Sequence, residues 1–158
     1  MSIVVRKAEI KDIPRILDLL EEIARFHVQL RPDMFRPNTK KYFHHDIEEM
    51  LKNEKKPIFV AVSPEDKVLG YCFCVINRFS NHEFYVDHST LFIDDFCVDE
   101  TIRGQGIGHL LFDFVKKYAT SNHFTGIELN VWESNVHGKH FYQDLGMTTQ
   151  FRRMELKL

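Results

Sequence analysis

The stretch Arg103-Gly104-Gln105-Gly106-Ile107-Gly108 governs how the rest of the chain is read. It follows an apolar, strand-like run, Leu91 to Val98. It opens a segment in which Ile107, Leu110, Leu111, Phe114, Val115 and Tyr118 recur at helical intervals. A strand, a glycine turn and a helix that begins inside the turn leave several backbone N–H groups unpaired at a helix N-terminus, which makes an anion site. Glycine suits such a turn because a Cβ would keep a phosphate off the backbone and because nest-like turns need positive φ. A P-loop is excluded, since it needs Lys and then Ser or Thr after its last glycine, and Gly108 is followed by His109 and Leu110. A dinucleotide fingerprint counted from Gly104 and Gly106 would need glycine at 109 and belongs in a first βαβ unit, not this far along the chain. A tight turn that holds no ligand stays open as the plain alternative.

Working outward, Ile3 to Lys7 reads as a first strand, with Asp12 as helix N-cap and Pro14 in the first turn. Ile13, Ile16, Leu17, Leu20, Ile23 and Ala24 form one apolar stripe of that helix, which ends before Pro32. Phe26 to Thr39 reads as an ordered loop with two prolines, and a less regular helix follows over Lys40 to Asn53. Ile58 to Ser63 and Val68 to Ile76 pair as a hairpin around Pro64-Glu65-Asp66-Lys67. The run Leu91 to Val98 is interrupted by Asp94-Asp95, which marks a candidate site. Ile127 to Trp132 is a further strand, Asn135 to Leu145 a short helix and Thr148 to Leu156 a last strand.

At 158 residues the expectation is a single domain spanning 1–158. A net charge of -2 with no broad basic surface argues against nucleic acid as partner. Met1 to Ile10 lacks the features of a secretory signal, and no apolar run approaches the roughly 20 residues needed to span a bilayer, so the expected location is cytoplasmic, with no membrane partner. Cys72, Cys74 and Cys97 lie in apolar runs and read as buried free thiols, the first two on one strand face.

Arg103, Gly106 and Gly108 satisfy the pattern Arg/Gln-x-x-Gly-x-Gly/Ala, and Asn135 to Met147 matches Asn-x-x-Ala-x-x-Phe/Tyr-Tyr-x-x-x-Gly-Phe. On these two segments the chain resembles the GNAT N-acetyltransferases, and the order of elements from residue 3 to residue 156 agrees. Gly138 stands where that family has Ala, which loosens the helix by about 0.5 to 1 kcal/mol, and Met147 stands where it has an aromatic. The resemblance implies an α/β fold with a mixed, splayed central sheet of six or seven strands flanked by about four helices. It further implies acetyl-CoA as cosubstrate, no metal, and a small-molecule amine or peptide as acceptor, with a homodimer left open.

By the same resemblance, Phe96, Cys97 and Val98 offer strand-edge groups to the pantetheine arm. Arg103, Gly104, Gln105, Gly106, Gly108 and His109 hold the pyrophosphate, and Asn135 meets the arm from the other side. Tyr142 is the candidate general acid; the alternative is a core tyrosine beside Phe141. Asp94 and Asp95 are candidate bases, and strand alternation places one on each sheet face, so that at most one points at the amine. They could instead bind a cationic substrate or a structural Arg. His27, His44, His45, His82 and His88 are further candidates by their ordinary pKa.

The loop Phe26 to Arg36 and the second helix are expected to wall the acceptor site. Asp94, Asp95, Asp87 and Glu83 would favour a polyamine or aminoglycoside, whereas Arg31 and Arg36 would favour a carboxylate. An acyl-CoA-binding module without catalysis and an enzyme acting on peptide amines are the rival readings.

Overall fold

The computed structural model describes residues 2–158, so Met1, the first residue of the stretch inspected for a signal, lies outside it. Strand β1 (Val4–Lys7) leads through a 3-10 turn into α1 (Ile13–Leu30), and a loop connects to α2 (His44–Leu51). Then come β2 (Ile58–Val62), β3 (Val68–Phe79), β4 (His88–Val98), α3 (Ile107–Ser121), β5 (Gly126–Leu129) and α4 (Val136–Asp144). The five strands lie in the order β1-β2-β3-β4-β5, antiparallel except for the last pair, β4 with β5, which is parallel.

Each sheet face carries its own core. The α1 stripe, represented by Ile13, Ile16, Leu19 and Leu20, packs with Ile47 of α2 against Val60, Tyr71 and Phe73. On the other face Leu111, Phe112 and Val115 of α3 cover Phe59, Cys72 and Leu91. Strand periodicity sends alternate residues of β2 and β3 to the two cores, which is why these strands read as unbroken apolar runs. The three cysteines are buried and free, and Cys72 and Cys74 share a face with their sulfurs 3.5 Å apart.

Asp12 is the N-cap residue of α1, but its side chain does not cap. It accepts from Arg6 Nη1 and Nη2, at 2.8 and 3.0 Å, and from the Glu9 N–H at 2.7 Å. Buried carboxylates need such partners, and an arginine fork supplies them. The helix expected over Lys40 to Asn53 shortens to α2, with Lys40 to Phe43 left in the loop that approaches the site.

The sheet has five strands among the described residues, not six or seven. Thr148 to Leu156 is irregular, and Phe151, Met154 and Leu156 are exposed. Strand-like patterning alone does not make a strand; it needs an edge to pair with. β5 stops at Leu129, short of the expected Trp132, and the segment makes no ladder pairing with it; Gln150 Nε2 reaches Glu128 Oε1 of β5 at 3.3 Å, a side-chain contact only. Ion pairs hold it instead, from Arg31 to Glu155 at 3.0 Å and from Lys157 to Asp33 at 2.7 Å.

Candidate active site

β4 and β5 pair only from Thr90↔Gly126 to Ile93↔Leu129. Beyond Ile93 the two strands part. Phe96, Cys97 and Val98 remain paired to Cys72, Tyr71 and Gly70 of β3, but their opposite edge faces no strand. The expected splay is therefore present, and an unpaired strand edge can accept an extended, amide-bearing chain as an added strand. The Cys97 side chain points away from that opening, with its sulfur 3.7 Å from the Leu19 carbonyl, and burial pushes its thiol pKa up.

The open edge runs directly into the glycine turn. Gly104 and Gly106 have φ of +80° and +79°, and a Cβ built on either would meet nothing within 4 Å. Gly106 is the N-cap residue of α3 and lends it no side chain. The backbone N–H groups of residues 106 to 109 donate to no acceptor among the described residues. The turn is thus a cradle of unpaired donors at a helix N-terminus, with free space over its glycines, and a pyrophosphate fits it chemically. Gly108 does a different job. A Cβ there would lie 3.1 Å from the Phe141 ring, so this glycine lets α4 approach α3, and His109 stacks edge-on to the same ring at 5.3 Å. Arg103 is not aimed at the cradle: its Nε donates to the Val98 carbonyl and its guanidinium pairs with Glu22 at 3.3 Å.

The acidic pair departs from simple alternation. Cys74 pairs with Ile93 and Phe73 with Asp95, so Asp94 is an extra residue, a β-bulge. Leu91, Ile93 and Phe96 belong to the α3 core, whereas Cys97 belongs to the α1 core, which shows the change of parity. Both carboxylates consequently engage tyrosines that pack with the α1 core. Asp94 accepts from the Tyr42 hydroxyl, and Asp95 accepts from the Tyr71 hydroxyl at 3.2 Å. The expectation of one acid per face is overturned. Asp94 also meets Lys41, whose Nζ lies 3.1 Å from its Oδ1. Asp94 stays partly exposed while Asp95 is buried.

Burial raises the Asp95 pKa to about 6, against the lowering influence of Lys41 and of the Tyr71 hydrogen bond. A carboxyl that holds its proton more tightly when folded favours the fold most at low pH. That contribution is lost as pH rises from about 4 through about 6, leaving a penalty at neutral pH of roughly 3 kcal/mol at most. Asp95→Asn keeps an acceptor for Tyr71 and removes the ionisation. It is expected to gain about 1 to 2 kcal/mol at pH 7.5 and to flatten the loss of stability between pH 4 and 6. Urea unfolding across that range checks this, and a variant less stable than wild type at pH 7.5 would sink it.

Across the opening, Asn135 caps α4: its Oδ1 accepts from the Gly138 N–H at 2.9 Å. A Cβ at 138 would lie 2.4 Å from Asn135 Nδ2, so Gly138 makes room for the cap instead of merely loosening the helix. Tyr142, on α4, packs on the α3 core with its ring 6.2 Å from Phe96. Its hydroxyl has no hydrogen-bond partner among the described residues, and burial pushes its pKa up, so the proton stays on at neutral pH. The hydroxyl is not among the buried atoms left without a partner, so it reaches the open side of the site and can donate to a bound group.

The acceptor-side wall is aromatic. His27 stacks on Phe35 at 5.3 Å, Phe35 meets Trp132 edge-on at 5.7 Å, and the Arg31 guanidinium lies 5.0 Å over Trp132. Arg31 is engaged by Asp33 and Glu155, which leaves it ill placed to capture a substrate carboxylate. His44 and His45 pair with Glu48 and Asp46. His82 and His88 are tied into the β3–β4 hairpin at the far end of β4, where Asp87 and Glu83 also lie. Tyr42, Lys41, Glu22 and Trp132 carry contacts here that the sequence did not announce.

Among the described residues no group of His, Cys, Asp and Glu could hold a metal, and no helix is long and apolar enough to cross a membrane. A point mutant of the BH1408 protein from Bacillus halodurans superimposes with a TM-score of 0.94 at 32% identity, over 98% of this chain and 99% of that one. The protein AAC(6')-Iy, solved with a CoA-containing bisubstrate analogue, shares the fold with a TM-score of 0.74 at 17% identity, over 100% and 99% of the two chains. The streptothricin acetyltransferase of Escherichia coli is 38% identical over 56 residues, which is 35% of this chain and only 32% of that protein. The acetyltransferase (GNAT) family model matches residues 17–147, and with the splayed strands and the glycine cradle already in view, this chain belongs to that family of acetyltransferases.

Proposed function

We propose that the chain, as one domain, is an acetyl-CoA-dependent N-acetyltransferase that moves the acetyl group to a primary amine in a ternary complex. One observation carries this: the open edge of β4 runs from the acidic bulge at Asp94 to the donor-lined cradle at Gly104 and Gly106. Bound acetyl-CoA supplies an activated thioester. The chain's own residues do the rest. Unpaired N–H groups of the turn bind the pyrophosphate, the edge of Phe96 to Val98 orients the pantetheine arm, and the Asn135 amide faces it. Asp94, reachable from solvent, binds the acceptor ammonium and takes its proton. Asp95 behind it is a buried acid that reinforces the negative potential. Tyr142, on the other side of the edge, holds a proton for the sulfur.

The bulge favours a cationic acceptor, because it presents two carboxylates on one face while Arg31 is already paired. Release of free thiol from acetyl-CoA across a panel of polyamines, aminoglycosides and peptides is the test. Acceptor-dependent release supports the enzyme. Tight binding of acetyl-CoA with no release on any amine would favour a binding or sensing module.

A further inference from the structure

Lys41 lies in the connection between α1 and α2. Its Nζ crosses to β4, donating to the Asp94 backbone carbonyl at 3.1 Å and pairing with the Asp94 Oδ1 at 3.1 Å. Asp94 is the first residue past the last β4–β5 pair, so this ammonium sits at the mouth of the opening. It lies 5.4 Å from the Tyr42 ring centroid, and its charge reaches both His27 and Asp95, after burial the next influence on each. The side chain is about half exposed, at 46%, and rides on a loop, so it is free to leave. A primary amine, the group to be acetylated, therefore rests on the carboxylate that would deprotonate it.

We propose that Lys41 is a self-acetylation site: when acetyl-CoA is bound and no acceptor is present, its Nζ stands in the acceptor's place and takes the acetyl group. This rests on the acetyl-transfer reading above. Asp94 removes a proton from the Lys41 ammonium, and the freed lone pair attacks the acetyl carbonyl carbon. The N–C bond forms and the C–S bond breaks, with its electron pair going to sulfur. The sulfur takes the Tyr142 proton and the acylated nitrogen gives up its second proton, leaving an Nε-acetyl amide and free coenzyme A thiol. Solvent carries that second proton back to Tyr142 and takes the proton held by Asp94, so that one proton is released overall. The amide carries no charge, so acetyl-Lys41 no longer occupies Asp94, and an incoming ammonium finds that carboxylate vacant.

Full-length protein, first shown by mass spectrometry to be unmodified, is incubated with acetyl-CoA and no amine, and its peptides are mapped with time. Lys41 is expected to gain one acetyl group about 10-fold or more ahead of exposed lysines such as Lys52 and Lys157. Asp94→Asn should slow it by about 100-fold, the lower range for loss of a general base. Tyr142→Phe, which leaves packing intact, should slow it as well, and Lys41→Arg should abolish the modified peptide. Lys41 labelled no faster than Lys52, or at a rate indifferent to Asp94→Asn and Tyr142→Phe, marks plain chemical acetylation and overturns the inference. A second readout needs no acetyl-CoA. Reductive methylation with formaldehyde should label Lys41 several-fold faster in Asp94→Asn than in wild type, and equal rates overturn its placement on Asp94. Thiol release to added amines with Lys41 left bare would overturn the self-acetylation alone. Absence of acetyl-CoA binding by calorimetry would overturn the acetyl-transfer reading and this inference together.

Discussion

Gly106→Asn is expected to weaken acetyl-CoA binding by about 100-fold or more while leaving the protein folded. The φ of +79° at Gly106 is one that Asn adopts at little cost, whereas most L-residues lose roughly 1 to 2 kcal/mol there. Nothing lies within 4 Å of the Cβ position, so the side chain enters the cradle without disturbing the chain. It then occupies the space over the free N–H groups. Charge-assisted hydrogen bonds contribute about 1.5 to 3 kcal/mol each, so losing two of them amounts to at least about 100-fold. Gly106→Val tests the same volume, but the left-handed φ adds strain and would shift the turn as well as fill it. Arg103→Ala should do much less, because its guanidinium is already held by Glu22 and the Val98 carbonyl. Calorimetry decides. Wild-type affinity in both Gly106 variants would rule out this turn as the pyrophosphate site.

The parts of the fold legible in the sequence are those set by local pattern. The α1 and α3 stripes, the β2–β3 hairpin and the strand-turn-helix around Gly106 each follow from periodicity or turn chemistry within a dozen residues, and each is present. The failures share a cause. Thr148 to Leu156 has a strand's residues but makes no ladder pairing, and whether it pairs depends on β5, over 15 residues upstream and on the far side of α4. Secondary structure that needs a distant partner is not written in its own segment.

The site divides the same way. Positions 104 and 106 were readable because only glycine takes a positive φ freely while leaving space above the backbone. The bulge was not readable, since a one-residue slip between β3 and β4 changes which face every later side chain takes, and only the pairing reveals it. That slip gathers Asp94 and Asp95 beside Tyr42 and Tyr71. It also brings Asp94 to Lys41, a residue whose place at an expected helix start gave no sign of the site. Gly108 matched the motif for another physical reason, close contact with Phe141.

Tyr142→Phe should cost about 100-fold in turnover and almost nothing in stability. The hydroxyl has no protein partner among the described residues, so its removal strands no buried group, and the ring's packing on Phe96 and Phe141 is kept. A positioned general acid is typically worth about 10² to 10⁴-fold. Two features place the expected loss near the low end. Water can partly replace the hydroxyl in a site open to solvent, and the raised Tyr142 pKa lowers the driving force for handing its proton to the departing thiolate. Affinity for acetyl-CoA should stay near wild type, because the effect belongs to the step in which charge appears on sulfur. The informative comparison is with Asp94→Asn on one amine. Loss of the base should displace the alkaline-rising limb of the pH profile, whereas loss of the acid should lower the plateau and leave the limb in place. If Tyr142→Phe turns over undiminished when chemistry limits the rate, the hydroxyl has no part in the mechanism and the residue serves only to pack α4 on the α3 core.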